Sequence, residues 1–163
     1  MNAKVINWND RIEPELALMG HRNWIVVADA AYPAQTSPGI ETVHTGADEV
    51  VVLREVLQAL DRSEHVNPIV WLDAEMQHLD EALAPGIGQY RQELEGLLHG
   101  RSTQRLPHAE LIARLDAAGK TFRVLLLKTD LQLPYTSVFL ELDCGYWGPE
   151  QERQLRERMD AST

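Results

Sequence analysis

Apolar positions along the chain fall into two kinds of run. Residues 24–28 (WIVVA), 68–72 (PIVWL), 122–128 (FRVLLLK) and 137–142 (SVFLEL) are short and almost continuously apolar, the pattern of strands covered on both faces of a sheet. Residues 40–44 (IETVH) alternate and predict a further short strand. Elsewhere the spacing is helical. Residues 12–20 carry Pro14 near the start, Leu16, Leu18 and Met19, and end on Gly20. In residues 48–61, Val52, Val56 and Leu60 form a stripe flanked by Leu53 and Leu57. Tyr90, Leu94, Leu97 and Leu98 share a face of a helix over 87–99, and Leu111, Ile112 and Leu115 do so over 107–118, which opens on Pro107. Residues 149–160 have only Leu155 and Met159 for an apolar face, which predicts a surface or interface helix.

Strands alternating with helices, several of the strands too apolar for a one-sided sheet, predict an α/β fold: a three-layer α/β/α sandwich around a mostly parallel, mixed sheet. No repeat or long linker divides the 163 residues, so we expect one domain over 1–148 and a helical extension over 149–163. In such sheets ligands collect outside the carboxyl ends of strands. Asp29 and Asp73 stand at two such ends.

Charge narrows the ligand. There are 25 acidic and 15 basic side chains, a net charge of −10, which repels nucleic acids and anionic membranes and disfavours a substrate bearing several phosphates. A neutral small molecule fits better. One cysteine, Cys144, allows no internal disulfide and no cysteine-based zinc site. Charged residues come too early for a signal-peptide core, and no apolar run approaches the roughly 18 residues of a membrane span. These features lead us to expect a soluble cytoplasmic protein.

Chemistry is concentrated at a few positions. His21, just past the first helix, and Asp29, after the next strand, could meet in one crevice, where a carboxylate would fix the imidazole tautomer and favour its charged form. The same two residues would equally serve as a helix cap and a turn former. His108 opens a helix, and Tyr135, Thr136 and Ser137 bring three hydroxyls together before a strand, suited to a polyol or to a turn. His44, His65, His78 and His99 have no metal-ligand spacing, so no metal is expected. Gly86-Ile87-Gly88 is no phosphate loop, and no GxSxG elbow surrounds Ser37 or Ser137. Asp73, Glu75 and Asp80 read as a solvated acidic run.

The stretch from Pro14-Glu15-Leu16 to Met19-Gly20-His21, then Ile25-Val26-Val27-Ala28-Asp29-Ala30 and Pro33, resembles the N-terminal signature of the D-ribose pyranase and L-fucose mutarotase (RbsD/FucU) family. In that family a "GH" closes the first helix and "DAxxP" follows the first strand. Val124 to Thr129, then Pro134-Tyr135-Thr136-Ser137-Val138-Phe139-Leu140, is similar to the family's strand, loop and "Y-x-N" before an apolar strand, and the likeness runs over about residues 10–143.

The resemblance implies a cofactor-independent isomerase of free monosaccharides that interconverts pyranose and furanose, or α and β anomers. It implies His21 as proton donor, Asp29, His108 and Tyr135 as sugar ligands with Thr136 and Ser137 beside them, and a ring-shaped homo-oligomer, pentamer or decamer, with sites between subunits. Departures exist. Ser137 replaces the family asparagine, Ala31 stands where fucose-type members have a histidine, and the terminal helix extends past the usual end. A sugar-binding or transport-associated accessory protein without turnover, and an oligomer with no ligand, are the alternatives.

Overall fold

A computed structural model of the chain describes residues 7–162. The first six residues of the charged N-terminal stretch, read above as lacking a signal-peptide core, lie outside the described residues.

The elements run α1 (Trp8–Leu18), β1 (Trp24–Ala28), β2 (Ile40–His44), α2 (Glu49–Arg62), β3 (Val66–Asp73), a 3-10 turn (Ala74–His78), α3 (Ile87–Leu98), β4 (Thr103–Leu106), α4 (His108–Gly119), β5 (Val124–Lys128), β6 (Val138–Cys144) and α5 (Pro149–Ala161). The six strands make one sheet in the order β2-β5-β1-β6-β3-β4. β1 and β2 flank β5 in parallel and β3 pairs with β4 in parallel, while β6 runs antiparallel between β1 and β3.

The layers follow from the pleat. Alternate side chains of a strand point to opposite faces. Ile25 and Val27 of β1 and Leu125 and Leu127 of β5 join the core formed with α1, α2 and α3. Trp24, Val26, Ala28, Val124 and Leu126 join Leu111 and Leu115 of α4 on the other face. Every residue of β1 is buried, as an apolar run without alternation predicts. The α/β/α sandwich with a mixed sheet is therefore present.

Some boundaries differ from those the sequence predicts. α1 begins at Trp8 and takes Pro14 into its interior, then ends at Leu18 rather than at Gly20. β4, exposed along most of its length, has too few apolar residues to show as a strand; it exists because β3 offers it a parallel partner. None of the residues of α5 is buried, in agreement with a surface helix. Among the described residues no helix is long and apolar enough to cross a membrane.

Close backbone contact ties β2 to the end of α4. The Gly39 N–H donates to the Gly119 carbonyl at 2.6 Å, and a Cβ at Gly39 would collide with the carbonyls of Gly119 and Phe122. Backbone cannot yield as a side-chain tip can. Gly39→Ala should lower stability by roughly 1–3 kcal/mol in urea unfolding; an unchanged midpoint would show that this edge relaxes freely.

Candidate active site

All parallel strands end at one edge of the sheet, and β6, running the other way, begins there. The register places Val138 opposite Val27 on one side and Leu72 on the other. Asp29, Asp73 and the residues just before Val138 consequently lie side by side. Neighbouring strands are about 4.8 Å apart, so Asp29 and Asp73 stand roughly 10 Å apart across β6.

Asp29 is held by a closed set of bonds. Its backbone N–H donates to Ser137 Oγ at 3.1 Å, and that hydroxyl donates to Asp29 Oδ1 at 2.6 Å. The Ala31 N–H donates to Oδ2 at 3.3 Å. The carboxylate stays partly exposed, beside an open pocket of about 420 Å³ lined by Ala30, Ala31, Gln132, Leu133 and Pro134. That volume is within the range of small-molecule sites.

His108 forms the other half. It follows β4 at the first position of α4, where its backbone N–H is taken by both Glu75 oxygens at 3.0 and 3.1 Å. Its Nδ1 lies 2.9 and 3.0 Å from the two oxygens of Asp73, which is fully buried. The bonds from Asp73 push the His108 imidazole above its ordinary value of 6.5, against the opposing effect of burial. Burial in turn pushes Asp73 up, against the pull of His108. Each of the two groups thus holds a proton more firmly than it would free in water. With Nδ1 engaged, Nε2 is the ring atom left for a ligand.

Tyr135 completes the edge. Its ring meets His108 edge-on at 5.6 Å, and its backbone sits at φ 57°, the left-handed region that a bulky residue enters only when held there. Thr136 does the holding. Its hydroxyl donates to the Leu133 carbonyl at 2.7 Å and its carbonyl accepts from Tyr90 Oη at 2.6 Å. Tyr32 and Phe139 back the His108 ring on its other sides.

The structure thus brings together Asp29, His108, Tyr135, Thr136 and Ser137, but not with equal access. Thr136 and Ser137 are buried with their hydroxyls committed to Leu133 and Asp29, so of the three adjacent hydroxyls only Tyr135 reaches the surface. The expected polyol contact by Thr136 and Ser137 becomes support of the residues beside them.

His21 is placed elsewhere. It sits before β1, on an exposed turn where Arg22 takes φ 75° and donates its N–H to Leu142, far along β6. β1 separates it from Asp29, and five residues at roughly 3.3 Å each put the two on the order of 16 Å apart. The expected meeting of His21 and Asp29 in one crevice does not occur within a chain, because both flank the same strand at opposite ends. His65 reaches over to this turn, its Nε2 2.9 and 3.0 Å from the carbonyls of Leu16 and Met19. Asn23 Oδ1 accepts from Gly20 N–H at 2.8 Å. The exposed His21 is therefore carried on a well-tethered turn.

Asp73 and Glu75, taken from sequence as a solvated acidic run, are instead the support of His108. The signal lay in Asp73's place at the end of an apolar strand, the same sign that singled out Asp29. Among the described residues, no group of His, Cys, Asp and Glu is arranged to hold a metal ion.

Comparison with known proteins agrees with this architecture. No curated protein matches the chain. Among solved structures, Bacillus subtilis RbsD complexed with D-ribose is 21% identical with a TM-score of 0.58, covering 88% of this chain and 98% of that one. The fucose mutarotase from Streptococcus pneumoniae in complex with L-fucose is 20% identical with a TM-score of 0.56, covering 86% of this chain and 98% of its own. FucU from Bifidobacterium longum is 16% identical with a TM-score of 0.54, covering 82% and 92%. These similarities show a common fold. The model of the RbsD / FucU transport protein family matches residues 5–143, nearly all of the sheet and the whole of the edge just described, and the chain belongs to that family.

Proposed function

We propose that the protein is a cofactor-independent monosaccharide mutarotase or pyranase that interconverts cyclic forms of a free sugar by acid–base ring opening. The observation that carries this reading is the pairing, at one sheet edge, of a solvent-facing carboxylate fixed by Ser137 with an imidazole fixed by Asp73. Relatives of this fold bind D-ribose and L-fucose. Residues 1–148 form the sugar-handling unit in this reading, with 149–163 as an appended helix.

Ring opening takes a proton from the anomeric hydroxyl and delivers one to the ring oxygen, and closure reverses both. Asp29, an acceptor on both oxygens, holds sugar hydroxyls in place. His108, charged through Asp73, presents Nε2–H as a donor towards the ring, and the Tyr135 hydroxyl closes the other side. His21 exchanges protons with the sugar from a neighbouring copy, since its own Asp29 lies at the far end of β1. A ring-shaped homo-oligomer, in which each copy offers its His21 edge to the next copy's Asp29 edge, supplies that geometry. General acid–base assistance of this kind is worth about 10²–10⁴-fold and needs no metal. A site in the cytoplasm, where free sugars arrive after uptake, suits the reaction. Should the chain act without a neighbour, Asp29 and His108 would still bind a sugar, and the accessory-protein reading would hold instead.

Magnetisation exchange between the anomeric signals of ribose, fucose, galactose and other free sugars should be faster with the protein than in buffer. His21→Ala should reduce the acceleration about 10²–10³-fold, and so should Asp29→Asn. Re-associating the two variants in mixed oligomers should recover part of it, since some sites then pair an intact His21 with an intact Asp29. If no sugar exchanges faster than in buffer the enzyme reading is lost; shifted sugar signals without faster exchange would indicate binding alone.

The His108–Asp73 pair can be followed directly. Because folding raises the His108 pKa, its contribution to stability is complete below about 6.5 and is lost as pH rises through the folded value. Side-chain NMR should show His108 titrating above 6.5, and moving down in Asp73→Asn. A His108 titration indifferent to that substitution would remove Asp73 from the mechanism.

A further inference from the structure

Behind the loop that carries Tyr135 lies a polar group the sugar chemistry does not use. Glu49, the first residue of α2, is fully buried, and Tyr90 of α3 is nearly so. The Tyr90 hydroxyl touches Glu49 Oε2 and lies 2.6 Å from the Thr136 carbonyl. The remaining oxygen, Oε1, is buried without a hydrogen-bond partner among the described residues. The other groups acting on Glu49 are Asp48 beside it, Asp29 at the end of β1 and Asp73 at the end of β3. All are acids.

Counting protons decides the state of this group. A tyrosine hydroxyl has one proton to give. Here it sits between a carboxyl oxygen and a backbone carbonyl oxygen, both acceptors if Glu49 is ionised. Only one of the two contacts could then be a hydrogen bond, and the Thr136 carbonyl of a fully buried residue would lose its bond to the stronger acceptor. Both contacts are satisfied when Glu49 is protonated: Oε2–H donates to Tyr90 Oη, and Tyr90 donates to Thr136. We infer that Glu49 is carried as the neutral acid and, with Tyr90, forms a positioning relay that anchors the Thr136 carbonyl and so fixes Tyr135 and Ser137 on either side of it. Burial, with Asp29, Asp48 and Asp73 acting in the same direction, pushes the Glu49 carboxyl well above its ordinary value.

The effect on sugar handling rests on the mutarotase reading; the state of Glu49 does not. Thr136 is the link between the two. It holds Tyr135 at its positive φ from one side and sets Ser137, hence Asp29, from the other. Ionising Glu49 would draw the Tyr90 proton to the carboxylate and leave Thr136 unanchored, so sugar affinity falls as pH rises while the proton-transfer groups stay in place.

Infrared difference spectra of the wild type against Glu49→Gln at neutral pH test the protonation directly. The band lost should be the carbonyl stretch of a protonated carboxylic acid; loss of a carboxylate band would overturn the proposal. In sugar exchange, Tyr90→Phe and Glu49→Leu should raise KM roughly ten-fold with a smaller change in kcat, the effect of one lost buried hydrogen bond. Glu49→Gln keeps an N–H donor for Tyr90, so it should rescue most of that loss and lessen the alkaline rise in KM expected of the wild type, leaving the part that His108 deprotonation contributes. Gln and Leu variants equally impaired, or an alkaline rise in Glu49→Gln as large as that of the wild type, would overturn the relay. Circular dichroism identifies any variant that fails to fold, and the infrared comparison then still decides. If the wild type accelerates no sugar, the mutarotase reading fails while the infrared result stands.

Discussion

The site depends on one strand running against its neighbours. β6 lies antiparallel between β1 and β3, so its first residues arrive where theirs end. Were β6 parallel, the loop of Tyr135 and Ser137 would open on the opposite edge and Asp29 would lose its hydroxyl partner. Val138, paired across both ladders, sets the register. A slip of one residue there would turn Ser137 away from Asp29 and send Phe139 out of the α4-side core. The packing that buries Phe139 and the bond that orients Asp29 are therefore one constraint.

That arrangement crowds carboxyl groups. Asp29, Asp48, Glu49, Asp73 and Glu75 gather near one edge, and the His108 imidazole faces Asp73 and Glu75 among them. The fold handles each differently. Asp29 remains partly exposed and accepts from a hydroxyl and an N–H; Asp73 is buried against the His108 imidazole; Glu75 accepts the first N–H of α4. Glu49, fully buried and with no cation beside it among the described residues, is left to be neutral. The chain's acidity is thus built into the site as well as spread over its surface, and such a field tolerates an uncharged polyol while resisting a phosphorylated one.

The architecture was legible because it rests on periodicity. β1 and β5, covered by α4 on one side and α1 and α2 on the other, must be apolar throughout, and α2 must carry the Val52, Val56 and Leu60 stripe. β4 was invisible because its stability comes from β3 and not from its own TQRL sequence. At the site, Asp29 and His108 could be singled out since both stand where an element begins or ends. Access was beyond reach: nothing in the succession Tyr135-Thr136-Ser137 tells that the first faces out and the other two in, which the left-handed turn at Tyr135 decides. Nor could the tyrosine of an apolar helix face announce that its hydroxyl meets a buried acid. Tyr90 packs as the pattern says it should, and its oxygen is the part the pattern does not describe.

Placing His21 and Asp29 on either side of β1 has a consequence for assembly. The strand keeps the two edges at a fixed separation, so no hinge or loop movement within a chain can bring imidazole and carboxylate together without unpairing the centre of the sheet. A reaction that uses both must therefore be shared between copies, and the contact joins two different surfaces, the start edge of one sheet and the end edge of another. Such head-to-tail contacts either close into rings or grow without limit. The tethered turn around His21, capped by His65 and Asn23, suits a closed ring, in which the angle between copies must be reproduced at every joint. In such a ring the short, hydrogen-bonded connection from α1 to β1 would fix where a neighbour's His21 arrives.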